Sequence, residues 1–139
     1  MKKEELVAEF LALPRYAVVG VSTDHEKFGY VIWRNLQQKG YTVYPVNPKY
    51  DTIAGERCYR SLADVADRTD VVDVVVPPAV TEQIVRQCAE LGLKRVWLQP
   101  GAQSAEAIRF CEEHGVQVVH HACVMALSRP RTEAKGTTK

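Results

Sequence analysis

The 139-residue sequence lacks any run of about eighteen apolar residues, so it offers no candidate membrane-spanning helix. It also lacks a dominant charge. Eighteen Lys and Arg against seventeen Asp and Glu leave +1, too little to draw the chain to a nucleic-acid backbone or an anionic membrane, so any anion site must be local. Its four cysteines, Cys58, Cys88, Cys111 and Cys123, contain no Cys-x-x-Cys pair, which removes the common zinc and dithiol motifs. Glu9 interrupts the first apolar stretch, so no secretion signal is read there. The expectation is a reducing, cytoplasmic setting with free thiols used as core filler. Two nucleotide signatures are missing as well: no Gly-x-Gly-x-x-Gly fingerprint and no Walker Gly-Lys-Ser/Thr.

What is present is ordinary globular usage, 46% apolar and 25% charged, at the commonest size for one domain. Leu6, Val7, Phe10 and Leu11 share a helical stripe that Pro14 ends. Apolar runs then alternate with helical patterns. Tyr16–Val21, Tyr41–Val46, Val71–Val76, Arg95–Gln99 and Val116–His120 read as strands. Phe28, Val31, Ile32 and Leu36 define one helix, and Val80, Ile84, Val85, Cys88 and Leu91 a second, stopped by Gly40 and Gly92. A third opens at Ser104 and stops at Gly115. Residues 49–70 give a weaker signal, with a turn at Ala54-Gly55, a short strand near Cys58 and a helical turn opening at Ser61. This alternation predicts an α/β, Rossmann-like, doubly wound domain: a mainly parallel sheet in a three-layer α/β/α sandwich over residues 1–127. A polar, Pro-broken and mobile tail is expected over 128–139.

In such a sheet ligands bind beyond the carboxyl ends of the strands. The first of those ends, Gly20-Val21-Ser22, enters a helix whose free backbone donors suit a phosphate, with Lys27 at the helix start. At the end of the second strand, where NAD-binding domains place an acid for the ribose 2′-hydroxyl, stand Pro45, Asn47, Pro48 and Lys49. A lysine there suits a phosphorylated ribose, which means NADP or coenzyme A. The remaining ends carry Val76-Pro77-Pro78, Gln99-Pro100-Gly101 and His120-His121-Ala122-Cys123.

Val-Val-Gly20-Val-Ser, Tyr-Pro-Val-Asn47-Pro-Lys, Ile53-Ala-Gly, Val-Val-Pro77-Pro and Trp97-Leu-Gln-Pro-Gly, in this order, resemble the CoA-binding domain family. That family groups small stand-alone bacterial proteins with the amino-terminal domain of succinyl-CoA synthetase alpha subunits, and the resemblance runs from Tyr16 to Cys123. It selects CoA, or an acyl-CoA, over NADP. It implies Gly20, Val21 and Ser22 at the CoA phosphates, with Lys27 in support, and Asn47, Pro48 and Lys49 at the ribose and its phosphate. It further implies Val76, Pro77 and Pro78 beside the adenine and pantetheine, and Gln99 and Gly101 flanking the thiol arm. Ala122 departs from the family's pattern, which carries an Arg just before the last Cys. Ligation in the synthetases uses a histidine from a further domain, so the resemblance implies a non-catalytic carrier, sensor or adaptor, with a protein partner or a homodimer as its context.

The rival reading, an NADP-dependent oxidoreductase, needs a proton donor, and the sequence holds no Tyr-x-x-x-Lys pair. No metal site is expected. Successive strand residues face opposite sides of a sheet, which would keep the His120 and His121 side chains apart. Trp33, Trp97 and Tyr44 sit in apolar patterns and are expected to pack. Cys123 is expected on the same sheet edge as Gln99 and Gly101.

Overall fold

The computed structural model describes residues 2–131. The chain runs α1 (Lys3–Ala12), β1 (Arg15–Val19), α2 (Phe28–Gln38), β2 (Thr42–Val46), β3 (Thr52–Ile53), β4 (Glu56–Arg57), two 3-10 turns, β5 (Val71–Val74), α3 (Pro78–Leu91), β6 (Arg95–Leu98), α4 (Ala105–Glu113), β7 (Gln117–Val119) and α5 (Val124–Leu127). Five strands pair in parallel in the order β2-β1-β5-β6-β7. The Rossmann-like, doubly wound class expected from the alternation is the one observed. Chain order reverses between β1 and β5, so the connections from those two strands leave toward opposite edges and a crevice opens between them.

Both faces of the sheet are covered, which is why its strands read as continuous apolar runs. Ala17, Val19, Val72, Val74, Val96 and Leu98 pack against Val85 and Cys88 of α3 and Ala107 and Cys111 of α4. The alternate residues Tyr16, Val18, Val71 and Trp97 meet Phe10 of α1, Ile32, Trp33 and Leu36 of α2 and Val124 of α5. Trp33 and Trp97 are fully buried, as expected of packing residues. Cys58, Cys88 and Cys111 are buried free thiols. Burial pushes Cys88 and Cys111 up to about 12, so both stay protonated and inert.

The weakly patterned stretch forms a small antiparallel hairpin of β3 and β4. Ala54 and Gly55 both have positive φ, as a type I′ turn demands. Glu56 at its edge accepts hydrogen bonds from Arg34 (2.8 Å) and Gln37 (2.9 Å), tying the hairpin to α2. The carboxyl-terminal stretch differs from expectation over residues 128–131. Ser128 is buried, Lys39 Nζ donates to its Oγ (2.8 Å) and to Met125 O (2.8 Å), and the Arg131 N–H donates to Lys39 O (2.7 Å). These bonds fasten the described part of the tail to the end of α2. Residues 132–139 lie outside the described residues.

One charge sits inside this apolar frame. Asp73 of β5 is fully buried between Val18 and Trp97 of the neighbouring strands. Gln99 Nε2 donates to its Oδ1 (2.6 Å), while Oδ2 has no partner. Burial raises its pKa to about 7, against the opposing effect of the Gln99 bond. The folded chain therefore holds this proton more tightly than the unfolded chain. The stabilisation is complete near pH 4 and is lost as pH rises through about 7. Asp73→Asn is expected to remove that slope and to stabilise the fold at pH 8 by on the order of 2–4 kcal/mol, with little effect at pH 4. Urea unfolding of both proteins across this range measures it. A difference between them that is constant with pH would contradict the assignment.

Candidate functional site

A cavity of about 860 Å³ opens at the reversal point, lined by the carboxyl ends of β1, β2 and β5 and by the first turns of α2 and α3. Backbone crowding shapes its floor. Gly20 has φ +108°, and a Cβ there would overlap the carbonyl of Val75. A Cβ on Gly29, in the first turn of α2, would overlap the carbonyl of Gly20. Two residues without side chains thus let β1, β5 and α2 converge, and the loop from Gly20 to Lys27 folds over the gap.

That loop is pinned by its own side chains. Ser22 Oγ accepts from the Asp24 N–H (3.0 Å), and Asp24 Oδ1 accepts from the Glu26 N–H (3.0 Å). His25 stacks on Tyr30 of α2 at 4.1 Å between ring centroids. From the β2 side, the nearby side chains of Thr23 and Ser22, with Lys49, hold the Tyr50 phenol below its ordinary pKa. Asn47 joins the two strand ends directly: its Nδ2 donates to Val21 O (2.9 Å) and its Oδ1 accepts from the Lys49 N–H (2.9 Å).

The charge around the cavity is of one sign. Lys27, Lys49 and Arg60 line it, and among the described residues no Asp or Glu does. Arg60 is held from behind, its Nε donating to Asp51 Oδ1 (2.9 Å) and its Nη1 to Pro48 O (3.2 Å). The Asp51 carboxylate also raises its pKa, so the guanidinium stays charged. Opposite stands an amphipathic wall made by Val80, Gln83, Ile84 and Gln87 of α3 with Ser61 and Leu62. Gln87 Nε2 donates to Ser61 Oγ (3.1 Å). Phe28 and Val80 are large apolar side chains left exposed, and both lie at this cavity.

A second hollow of about 420 Å³ adjoins the first, sharing Val75, Val76 and Pro77 and adding Pro78, Pro100, Gly101 and Ala102. Of the residues expected from sequence, Gly20, Ser22, Lys27, Asn47, Pro48, Lys49, Val76 and Pro77 line the larger cavity, and Pro78 and Gly101 the smaller. Three do not line either. Val21 is fully buried, packed with the α2 face, and Pro45 is buried within β2. Gln99 is also sealed inside: its Nε2 goes to Asp73 and its Oε1 accepts from the Val124 N–H (3.2 Å), so it braces β6 to β5 and α5. Tyr50, Arg60, Ser61, Gln83 and Gln87 were not expected. Ser61 was readable as a helix cap, and α3's polar stripe as solvent-facing, but their convergence depends on the crossover.

The last sheet edge corrects one expectation. His121 lies beyond β7 with φ +59°, which turns its ring toward His120, and the two Nδ1 atoms stand 2.6 Å apart. The opposite-face rule does not apply, because His121 is no longer strand. No group of three or more His, Cys, Asp or Glu able to hold a metal occurs among the described residues. Cys123 lines neither cavity. It opens α5 on the α2 face, and its neighbours Ala122, Val124 and Met125 pack into that side of the core.

Together, a doubly wound parallel sheet and a crevice at its reversal point that is lined by cations define a Rossmann-like domain with a positively charged cleft. The model of the CoA binding domain matches residues 14–129, and the chain belongs to that family. It is 38% identical over 87 residues to an ADP-forming acetate–CoA ligase of Methanocaldococcus jannaschii, a match covering 62% of this chain and 12% of the ligase. It is 28% identical over 119 residues to the alpha subunit of a Pyrococcus furiosus ADP-forming acetate–CoA ligase, covering 78% and 26%. The chain thus spans about a quarter or less of these ligases. By contrast, YneT of Bacillus subtilis, an uncharacterized protein, is 27% identical over 110 residues that cover 79% of this chain and 82% of its own. Among solved structures, a conserved hypothetical protein from Pyrococcus furiosus superposes with TM-score 0.79 at 42% identity, covering 82% of this chain and 98% of that one. A hypothetical protein from Pyrococcus horikoshii gives TM-score 0.83 at 35% identity, covering 91% and 89%. No helix among the described residues is long and apolar enough to cross a membrane.

The crowding at Gly29 is the most directly testable feature of the site. Gly29→Ala is expected to destabilise the fold by roughly 1–3 kcal/mol despite the higher helix propensity of alanine, because its Cβ meets backbone that cannot move aside. A melting curve decides it, and an unchanged or higher midpoint would contradict the close approach.

Proposed function

We propose that the chain binds coenzyme A, or an acyl-CoA, through the 3′-phosphoadenosine diphosphate, and that by itself it is a binding module rather than a ligase. The carrying observation is the crevice with three cations and no carboxylate in its lining, in a chain of the CoA binding domain family. Gly20, Ser22 and Lys27 hold the pyrophosphate at the start of α2, where backbone donors and the helix dipole favour negative charge. Lys49, joined by the fixed guanidinium of Arg60, meets the ribose phosphate. Asn47 and Pro48 shape that corner rather than contact the ligand. Val76, Pro77 and Pro78, with Val80 and Phe28, form the apolar surface along which the adenine and pantetheine lie, and Gly101 lies beside the arm's far end.

The ligases to which the chain is similar extend far beyond this one domain. We read this domain as a carrier, sensor or adaptor for CoA, acting with a protein partner or a second copy. Its free thiols suit a reducing, cytoplasmic setting.

CoA at about a hundredfold over its dissociation constant should stabilise the protein by roughly 2.7 kcal/mol, which a thermal melt resolves. NAD and ATP should do markedly less. A shift with NADP and none with CoA would overturn the proposal in favour of a nicotinamide site. Lys49→Ala should weaken CoA by roughly tenfold, the worth of one charge-assisted contact, and leave dephospho-CoA almost unchanged. Calorimetry with both ligands measures this, and equal losses would move Lys49 away from the ribose phosphate.

A further inference from the structure

The smaller hollow has a chemistry of its own. Residues 75–78 and 100–102 line it, and none carries a charged or hydrogen-bonding side chain. Its backbone is nearly closed too. Pro77, Pro78 and Pro100 have no N–H. The N–H groups of Val75, Gly101 and Ala102 are already bonded, to Val19 O (2.9 Å), Gln103 Oε1 (2.8 Å) and Gln99 O (2.8 Å). Only the Val76 N–H remains. A helix start next to a ligand site ordinarily offers donors to an anion, but α3 begins with prolyl rings at its cap and first position. The nearest carboxylate on that helix, Glu82, accepts from Ser104 Oγ (2.9 Å) and adds negative charge between α3 and α4.

Resting on the CoA reading above, we infer that this hollow receives the acyl group of a CoA thioester, and that it selects a short, uncharged aliphatic acyl group over one ending in a carboxylate. Continuity with the larger cavity through Val75, Val76 and Pro77 places it where the thiol arm leaves the cationic crevice. Its size accommodates a few methylene groups. Burying them against proline and valine is favourable. A carboxylate entering the same space exchanges its water for at most one N–H and no cation, a net loss.

Calorimetry with CoA, butyryl-CoA and succinyl-CoA tests this, because the last two differ by a terminal carboxylate on a chain of equal length. Butyryl-CoA is expected to bind about tenfold more tightly than CoA, as burial of about two methylene groups gives, and succinyl-CoA no more tightly than CoA. Pro100→Lys, a change at an exposed rim position, should raise the affinity for succinyl-CoA several-fold relative to that for butyryl-CoA. CoA binding with equal affinity for all three ligands would overturn the acyl site while leaving the CoA reading intact. No binding of any of the three would overturn the CoA reading itself.

Discussion

Three backbone segments meet without intervening side chains where β1 ends: Gly20 lies against the carbonyl of Val75, and Gly29 against the carbonyl of Gly20. Everything at the site follows from that contact. It brings the first turn of α2 down onto the sheet, and it sets the loop carrying Ser22 and Lys27 above the gap between β1 and β5. Larger residues at either glycine would lift the loop and spread the strands. The crevice is thus not a leftover between packed elements but the space that a close backbone approach leaves beside a reversal of strand order.

Around that space polar side chains divide into those that build and those left to bind. Asn47 and Asp24 spend their groups on backbone N–H or carbonyl partners and lock the loop geometry, while Gln99 is held by the Asp73 carboxyl and the Val124 N–H. Arg60 is fixed by Asp51 and Pro48, with donors remaining toward the cavity. Lys27 and Lys49 have no ion-pair partner among the described residues. Two lysines without an ion-pair partner and a guanidinium already held from behind gain most when an anionic ligand arrives, because little must be displaced.

The fold was largely legible because burial on both faces leaves its mark in valine runs such as 71–76 and in helices punctuated at Gly40, Gly92 and Gly115. Two kinds of feature were not. The β3–β4 hairpin showed only its turn at Ala54-Gly55 and a short strand near Cys58, and α5 is too short for periodicity to show; both are held by tertiary bonds, Arg34 to Glu56 and Lys39 to Met125 and Ser128. At the site, the strand-end rule found Gly20, Ser22, Lys49 and Pro77, whose positions depend only on strand ends. It missed Tyr50, Arg60 and Gln87, which reach the cavity from a loop and a helix face. It also placed Gln99 at the ligand, when the buried Asp73 carboxyl claims its amide. A polar residue at a strand end is ambiguous until its nearest buried partner is known.

The central claim is that the crevice between β1, β2 and β5 is where CoA binds. An amide NMR titration of the chain with CoA tests it most directly. The account predicts saturable shifts concentrated at Gly20, Ser22, Lys27, Lys49, Ser61 and Val76, with the His120–Leu127 edge almost unmoved. Shifts confined to that opposite edge, or none at all at millimolar CoA, would contradict it.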